Sequence, residues 1–224
     1  MSHPYLLTPD GNIINVSKRF SQNFGQYVRS MSNTPRFRGL GLGPSDYGVL
    51  HHIVACGMLL PLFHPPKDRV YAFWKGILHE LGETFWGDIP TPFKDLVPEI
   101  RQSEVRIAVK FSENLAAKWP GYYGQRMAAI EYKEADSLLC AIEAELVLGC
   151  PRDVCDEAGL GSDSEHYEKA ERLVADLIGF PPYLLERELN ELFRISLKKH
   201  IDSSSQLAYV EGFGARIMKY ARGT

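Results

Sequence analysis

The run His79-Glu80-Leu81-Gly82-Glu83, with Asp88 five residues on, puts an imidazole and three carboxylates within ten residues. On a continuous helix His79 and Glu83 lie four apart and share a face, and Glu80 and Glu83 lie three apart. Imidazole nitrogen beside carboxylate oxygen suits two kinds of chemistry, a mixed shell for a divalent cation or an acid–base pair. Adjacent helical side chains diverge by about 100°, so His79 and Glu80 share an ion only if other segments complete its shell. Two segments offer the missing groups. One is the pair His51-His52. The other is Asp136, in an otherwise apolar helical stretch where a carboxylate is costly unless paired or metal-bound. The four cysteines, Cys56, Cys140, Cys150 and Cys155, form no C-x-x-C pair and read as reduced, mostly buried thiols rather than a zinc ribbon or disulfide framework.

These groups need helices to position them, and the chain supplies little else. Residues 6–16 predict a small β-hairpin around Asp10-Gly11. Phe20, Phe24, Tyr27 and Met31 make an apolar stripe for a helix running from a Ser17 cap to about Met31. Residues 33–44, with three glycines and two prolines, must be a loop. Helices are predicted over about 45–60, from Asp68 to Phe85 or Trp86, and over about 98–118 and 125–148. Ile130, Leu138, Leu139, Ile142 and Leu146 form the core stripe of the last of these. Pro90 and Pro92 force 87–92 to be irregular. Two or three further helices follow, over about 163–178, 182–201 and 204–220, and the stripe Leu184, Leu185, Leu189, Leu192 and Phe193 would build a homo-oligomer interface or cap the core. The expected fold is all-α, a compact helical bundle with a short N-terminal β-hairpin. It would be a single domain over 1–224: an extension and loop over 1–44, a core over 45–148 and C-terminal helices over 149–224.

Composition narrows the function classes. With 25 Lys plus Arg against 28 Asp plus Glu among 224 residues, the formal charge is −3, no footprint for duplex nucleic acid or an anionic membrane. No apolar run approaches the ~18 residues of a membrane helix. The start, Met1-Ser2-His3-Pro4, lacks an export signal, so the expected location is cytoplasmic, in a bacterium or a phage-infected host.

Taken together, the motifs resemble the metal-binding core of the HD-domain phosphohydrolases. The likeness is strongest to the nucleotide branch that contains 5′-deoxynucleotidases and phage dNTP (dATP) triphosphohydrolases, and it covers roughly residues 8–140. Tyr47-Gly48-Val49-Leu50-His51-His52 is similar to the segment bearing that family's first metal ligand, which falls on His52, with His51 one residue early. His79-Glu80 falls on the His-Asp signature, with Glu where the family has Asp. Glu83 and Asp88-Ile89-Pro90-Thr91-Pro92 fall on the family's following Glu and its "GDxPxP" run. Lys133-Glu134-Ala135-Asp136 falls on "K-x-A-D", and Arg36-Phe37-Arg38-Gly39 on an "RFxG" loop.

The resemblance implies His52, His79, Glu80 and Asp136 as metal ligands, Glu83 acting on a water, and Asp88 acting on the leaving group. It implies Arg36 and Lys94 as phosphate contacts, with Arg38 and Lys133 behind them, and Phe37 stacking on a base or ribose. Trp86, beside the loop, is the remaining candidate for the pocket wall. A mixed nitrogen–oxygen shell suits Mn²⁺, Co²⁺, Fe²⁺, Ni²⁺ or Zn²⁺ better than Mg²⁺. The implied enzyme hydrolyses small deoxynucleotides. It either releases triphosphate from a dNTP or removes one phosphate from a dNMP; a degenerate, non-catalytic nucleotide binder is the third reading.

Overall fold

The computed structural model describes residues 5–7, 13–15, 23–39, 47–84, 86–89, 91–118, 124–157, 165–197 and 203–223. The described part is mostly helical, as expected of an all-α chain. Its helices are α1 (Phe24–Ser32), α2 (Val49–Leu59), α3 (Arg69–Leu78), α4 (Thr91–Leu96), α5 (Pro98–Lys118), α6 (Gly124–Ala128), α7 (Lys133–Leu148), α8 (Arg152–Glu157), α9 (Tyr167–Leu177), α10 (Pro182–Ser196) and α11 (Ser203–Ala221). Short 3₁₀ turns cover Arg36–Gly39 and Leu81–Thr84. Strands Tyr5–Leu7 and Ile13–Asn15 pair antiparallel. The expected Asp10-Gly11 turn and the expected Ser17 cap lie outside the described residues.

The centre is α2. Ten of its eleven residues are buried, which makes it a helix walled on every side rather than one with a single apolar face. A continuous apolar cluster surrounds it, drawing Tyr27 from α1, Trp74 from α3, Phe111 from α5, Leu138 from α7, Leu185 from α10 and Phe213 from α11. The leucine stripe Leu184, Leu185, Leu189 and Leu192 is buried within this chain, so it caps the core; an interface between copies would need other residues. Among the described residues no helix is long and apolar enough to cross a membrane. All four cysteines are free thiols.

Two glycines let α2 and α3 touch backbone to backbone. A Cβ on Gly76 would come to 2.6 Å from the Gly57 nitrogen and 2.7 Å from the Cys56 carbonyl, so only a residue without a side chain fits there.

Several predicted boundaries move, each for a local reason. The first helix begins at Phe24, where Asn23 and Gln26 form a reciprocal capping box. The helix predicted to reach Phe85 stops at Leu78. There the carbonyls that would continue the ladder are taken by side chains: the Tyr27 hydroxyl donates to Ile77 O (2.6 Å) and His79 Nδ1 donates to Gly76 O (2.6 Å). The chain then tightens into the 81–84 turn, with Glu83 N–H donating to Glu80 O (3.0 Å). Gly82 fits against the backbone of Glu104 in α5, where a Cβ would come to 2.9 Å from that residue's carbonyl oxygen. The helix predicted over 125–148 is two helices, α6 and α7, broken at 129–132. Leu146 is exposed and Val147 occupies the core in its place.

Candidate metal centre

His52 lies in the buried middle of α2, His79 and Glu80 in the turn that ends α3, and Asp136 in the first turn of α7. One ligand atom from each of the four lies within 4.8 Å of all the others. His52 Nε2 stands 3.2 Å from His79 Nε2 and 3.3 Å from Asp136 Oδ1. His79 Nε2 stands 3.2 Å from Glu80 Oε1 and 3.7 Å from Asp136 Oδ1. An ion bound at about 2.0–2.2 Å keeps neighbouring ligands roughly 3–3.5 Å apart, so the spacing fits one cation. This group can hold a metal ion.

The tautomers support the same reading. Gly76 O can only accept, so His79 carries its proton on Nδ1. Burial opposes ionisation of Glu143, yet His52 and Arg36 bring its pKa down to about 2. As a carboxylate it accepts from His52 Nδ1 (2.8 Å). With both rings neutral, each turns a bare Nε2 toward the other. Two lone pairs 3.2 Å apart repel unless positive charge lies between them.

The protonation tendencies agree. Burial and Arg36 work against charging His52, but Glu143 and Asp136 outweigh them and its pKa is raised. Burial opposes charging His79 as well, and Cys56, Glu80 and Asp136 overcome it. Burial would raise Glu80 and Asp136, yet the two imidazoles hold both far below the usual carboxylate range. The site draws in cationic charge, as two protons or as a metal.

His51 is committed elsewhere. Its Nδ1 accepts from Gly48 N–H (3.0 Å) and its Nε2 donates to Phe180 O (2.7 Å).

The cluster opens into a pocket of about 590 Å³ whose lining includes Arg36, Phe37, Glu83, Asp88, Lys94 and Lys133. Glu83 is 4% exposed. Its expected helical partnership with His79 is replaced by the 81–84 turn, which still aims it at the pocket. Oε1 of Glu83 accepts from Lys94 Nζ (2.6 Å), and Oε2 has no hydrogen-bond partner among the described residues. Burial, and then Glu80 beside it, push the Glu83 pKa up to about 8.

Asp88 and Lys94 are both engaged with neighbouring groups. Asp88 Oδ1 accepts from Arg36 Nη1 (3.1 Å) and Oδ2 from the Phe37 N–H (2.8 Å). It thus secures the 36–39 turn, in which Phe37 has a left-handed φ of 52° that is strained for an aromatic residue. Lys94, expected as a phosphate contact, is bracketed by Glu83 and Glu104, at 2.6 and 3.0 Å. Arg36 lines the pocket but is also paired, its Nε to Glu143 Oε2 (3.0 Å). Lys133 stays exposed at the rim, 3.5 Å from Asp136 Oδ2. Trp86 is not part of the lining: it is 49% exposed and its Nε1 donates to Ser103 Oγ (3.3 Å). The side chain of Arg38 lies outside the described residues.

Sequence reasoning missed Glu143, Cys140, Glu104 and Tyr132. A signal for the first two existed. Asp136, Cys140 and Glu143 stand at i, i+4 and i+7, a polar line along one face of an apolar helix. Glu104 and Tyr132 carried no such signal, since each reaches the pocket through a neighbouring element's placement. No family model matches the chain, and no curated protein matches it.

Proposed function

We propose that this chain is a metal-dependent phosphohydrolase of the HD type, acting on small deoxynucleotides and foremost releasing triphosphate from a dNTP. The observation that carries this reading is the convergence of two imidazole Nε2 atoms, 3.2 Å apart, with the carboxylates of Glu80 and Asp136 beside an open pocket. Two imidazoles and two carboxylates favour Mn²⁺, Co²⁺, Fe²⁺, Ni²⁺ or Zn²⁺ over Mg²⁺. A bound divalent ion supplies Lewis acidity toward a phosphoryl oxygen and lowers the pKa of a water.

The chain's own residues do the rest. His52, His79, Glu80 and Asp136 hold the ion. Glu83, with a pKa near neutrality and an unpartnered Oε2, takes and returns a proton there. Asp88 keeps Arg36 and Phe37 turned to the pocket, where the guanidinium faces phosphate and the ring faces base or sugar.

A second reading, a 5′-nucleotidase acting on a dNMP, draws on one observation. Arg36 and Lys94 arrive already paired with carboxylates, which leaves little free positive charge for β and γ phosphates. A screen of all dNTPs and dNMPs with Mn²⁺ or Co²⁺ tests both. Ion-exchange chromatography separates tripolyphosphate from inorganic phosphate. Release of neither from any substrate defeats both readings. A stoichiometric metal without turnover points to a nucleotide binder instead.

A further inference from the structure

Glu143 has no exposed surface and stands outside the ligand cluster, yet it bonds to three side chains of the site. Oε1 accepts from His52 Nδ1 (2.8 Å) and from the Tyr47 hydroxyl (2.8 Å), and Oε2 accepts from Arg36 Nε (3.0 Å). One anion thus ties the central ligand helix to the turn that carries the arginine. A buried ion pair is a poor source of stability, because desolvating the charges offsets most of their attraction. A directional task accounts better for its place. A carboxylate at Nδ1 fixes the proton there and leaves the lone pair of Nε2 aimed at His79, Glu80 and Asp136. An imidazole of the other tautomer would present an N–H to the cation. The same carboxylate, through Oε2, sets the plane of the guanidinium, so the N–H groups of Arg36 not held by Glu143, Asp88 and Cys140 are left for the pocket.

We propose that Glu143 is a positioning residue that sets the metal ligand His52 and the phosphate contact Arg36 in register. The proposal rests on the phosphohydrolase reading above. Its test uses Glu143→Gln and Glu143→Asp in the full chain, with Mn²⁺ as the probe. Free Mn²⁺ is read by electron paramagnetic resonance, and kcat and KM are measured at saturating Mn²⁺. Glu143→Gln is expected to weaken Mn²⁺ binding by about 10–100-fold, the range for lost outer partners of metal-bound histidines. It is also expected to raise KM at saturating metal, because the new amide sets a donor against either Arg36 Nε–H or His52 Nδ1–H and disturbs the register of both. Glu143→Asp is expected to recover part of both.

A second measurement needs no variant. Nitrogen-15 correlation spectra of the wild-type protein at alkaline pH are expected to show the His52 proton on Nδ1. Folded Glu143→Gln with wild-type Mn²⁺ affinity, or a wild-type His52 protonated on Nε2, overturns the proposal. A wild-type protein that binds no Mn²⁺ defeats the functional reading instead, and the tautomer then decides the role of Glu143 separately.

Discussion

Replacing Gly76 with alanine tests whether the contact between α2 and α3 sets the metal site. The added Cβ would meet the Gly57 nitrogen at 2.6 Å and the Cys56 carbonyl carbon and oxygen at 2.7 Å. These are backbone atoms, so no rotamer change relieves the clash. Reaching an ordinary contact of about 3.5–4.0 Å requires the helices to part by roughly 1 Å. His52 belongs to α2, and His79 follows α3 directly and bonds back to the carbonyl of Gly76 itself. The 3.2 Å gap between their Nε2 atoms then widens to about 4 Å, which draws the two rings away from the single point they share with Glu80 and Asp136. Overpacking of this kind costs about 1–3 kcal/mol, which lowers Tm by roughly 2–12 °C for a chain of this size. Thermal unfolding and Mn²⁺ titration read the two effects, and Mn²⁺ affinity should fall at least tenfold. Gly212→Ala in α11 is the control, because its nearest neighbour stands at 3.6 Å and is a flexible arginine tip. A Gly76→Ala protein with wild-type Tm and wild-type Mn²⁺ affinity refutes the reasoning.

Three further outcomes are expected. Burial and Glu80 raise the Glu83 pKa to about 8, so the folded chain keeps a proton that an unfolded carboxyl loses near pH 4.3. Stability contributed by this group therefore falls as pH rises between about 4.3 and 8; urea unfolding of Glu83→Gln should show a shallower decline over that window, and an unchanged slope counts against the assignment. Mn²⁺ at about 100 times its Kd should stabilise the protein by roughly 2.7 kcal/mol, a gain that Asp136→Asn should abolish in a thermal shift assay. Glu80→Asp, which shortens a ligand by one methylene, should retain metal and turnover, whereas Glu80→Ala should lose both when metal content and product release are measured together.

The sequence made the helical class and the identity of the clustered residues readable, because both rest on local patterns. The apolar stripe Phe24, Tyr27 and Met31 marked α1. The histidines and acids declared themselves by type. What stayed hidden came from long-range pairing. The early end of α3 depends on the hydroxyl of Tyr27, fifty residues upstream of the carbonyl it captures. The pairing of Lys94 with Glu83 and Glu104 depends on how α5 lies against the 81–84 turn. Glu143 was overlooked because an acid's place along a helix gives its spacing but not its partners. Trp86 shows the opposite error: nearness in sequence to a site loop did not bring its ring to the pocket.

The bond from His51 to the carbonyl of Phe180 has a consequence for dissecting the protein. Phe180 stands between α9 and α10, while His51 adjoins the ligand His52 on the innermost helix. The C-terminal third is therefore no detachable appendage. Cutting the chain after α7 would uncover the flank of the ligand helix and remove the acceptor of the His51 ring nitrogen. A shortened version kept for convenience in crystallisation or library screening would lose the very arrangement it was meant to display.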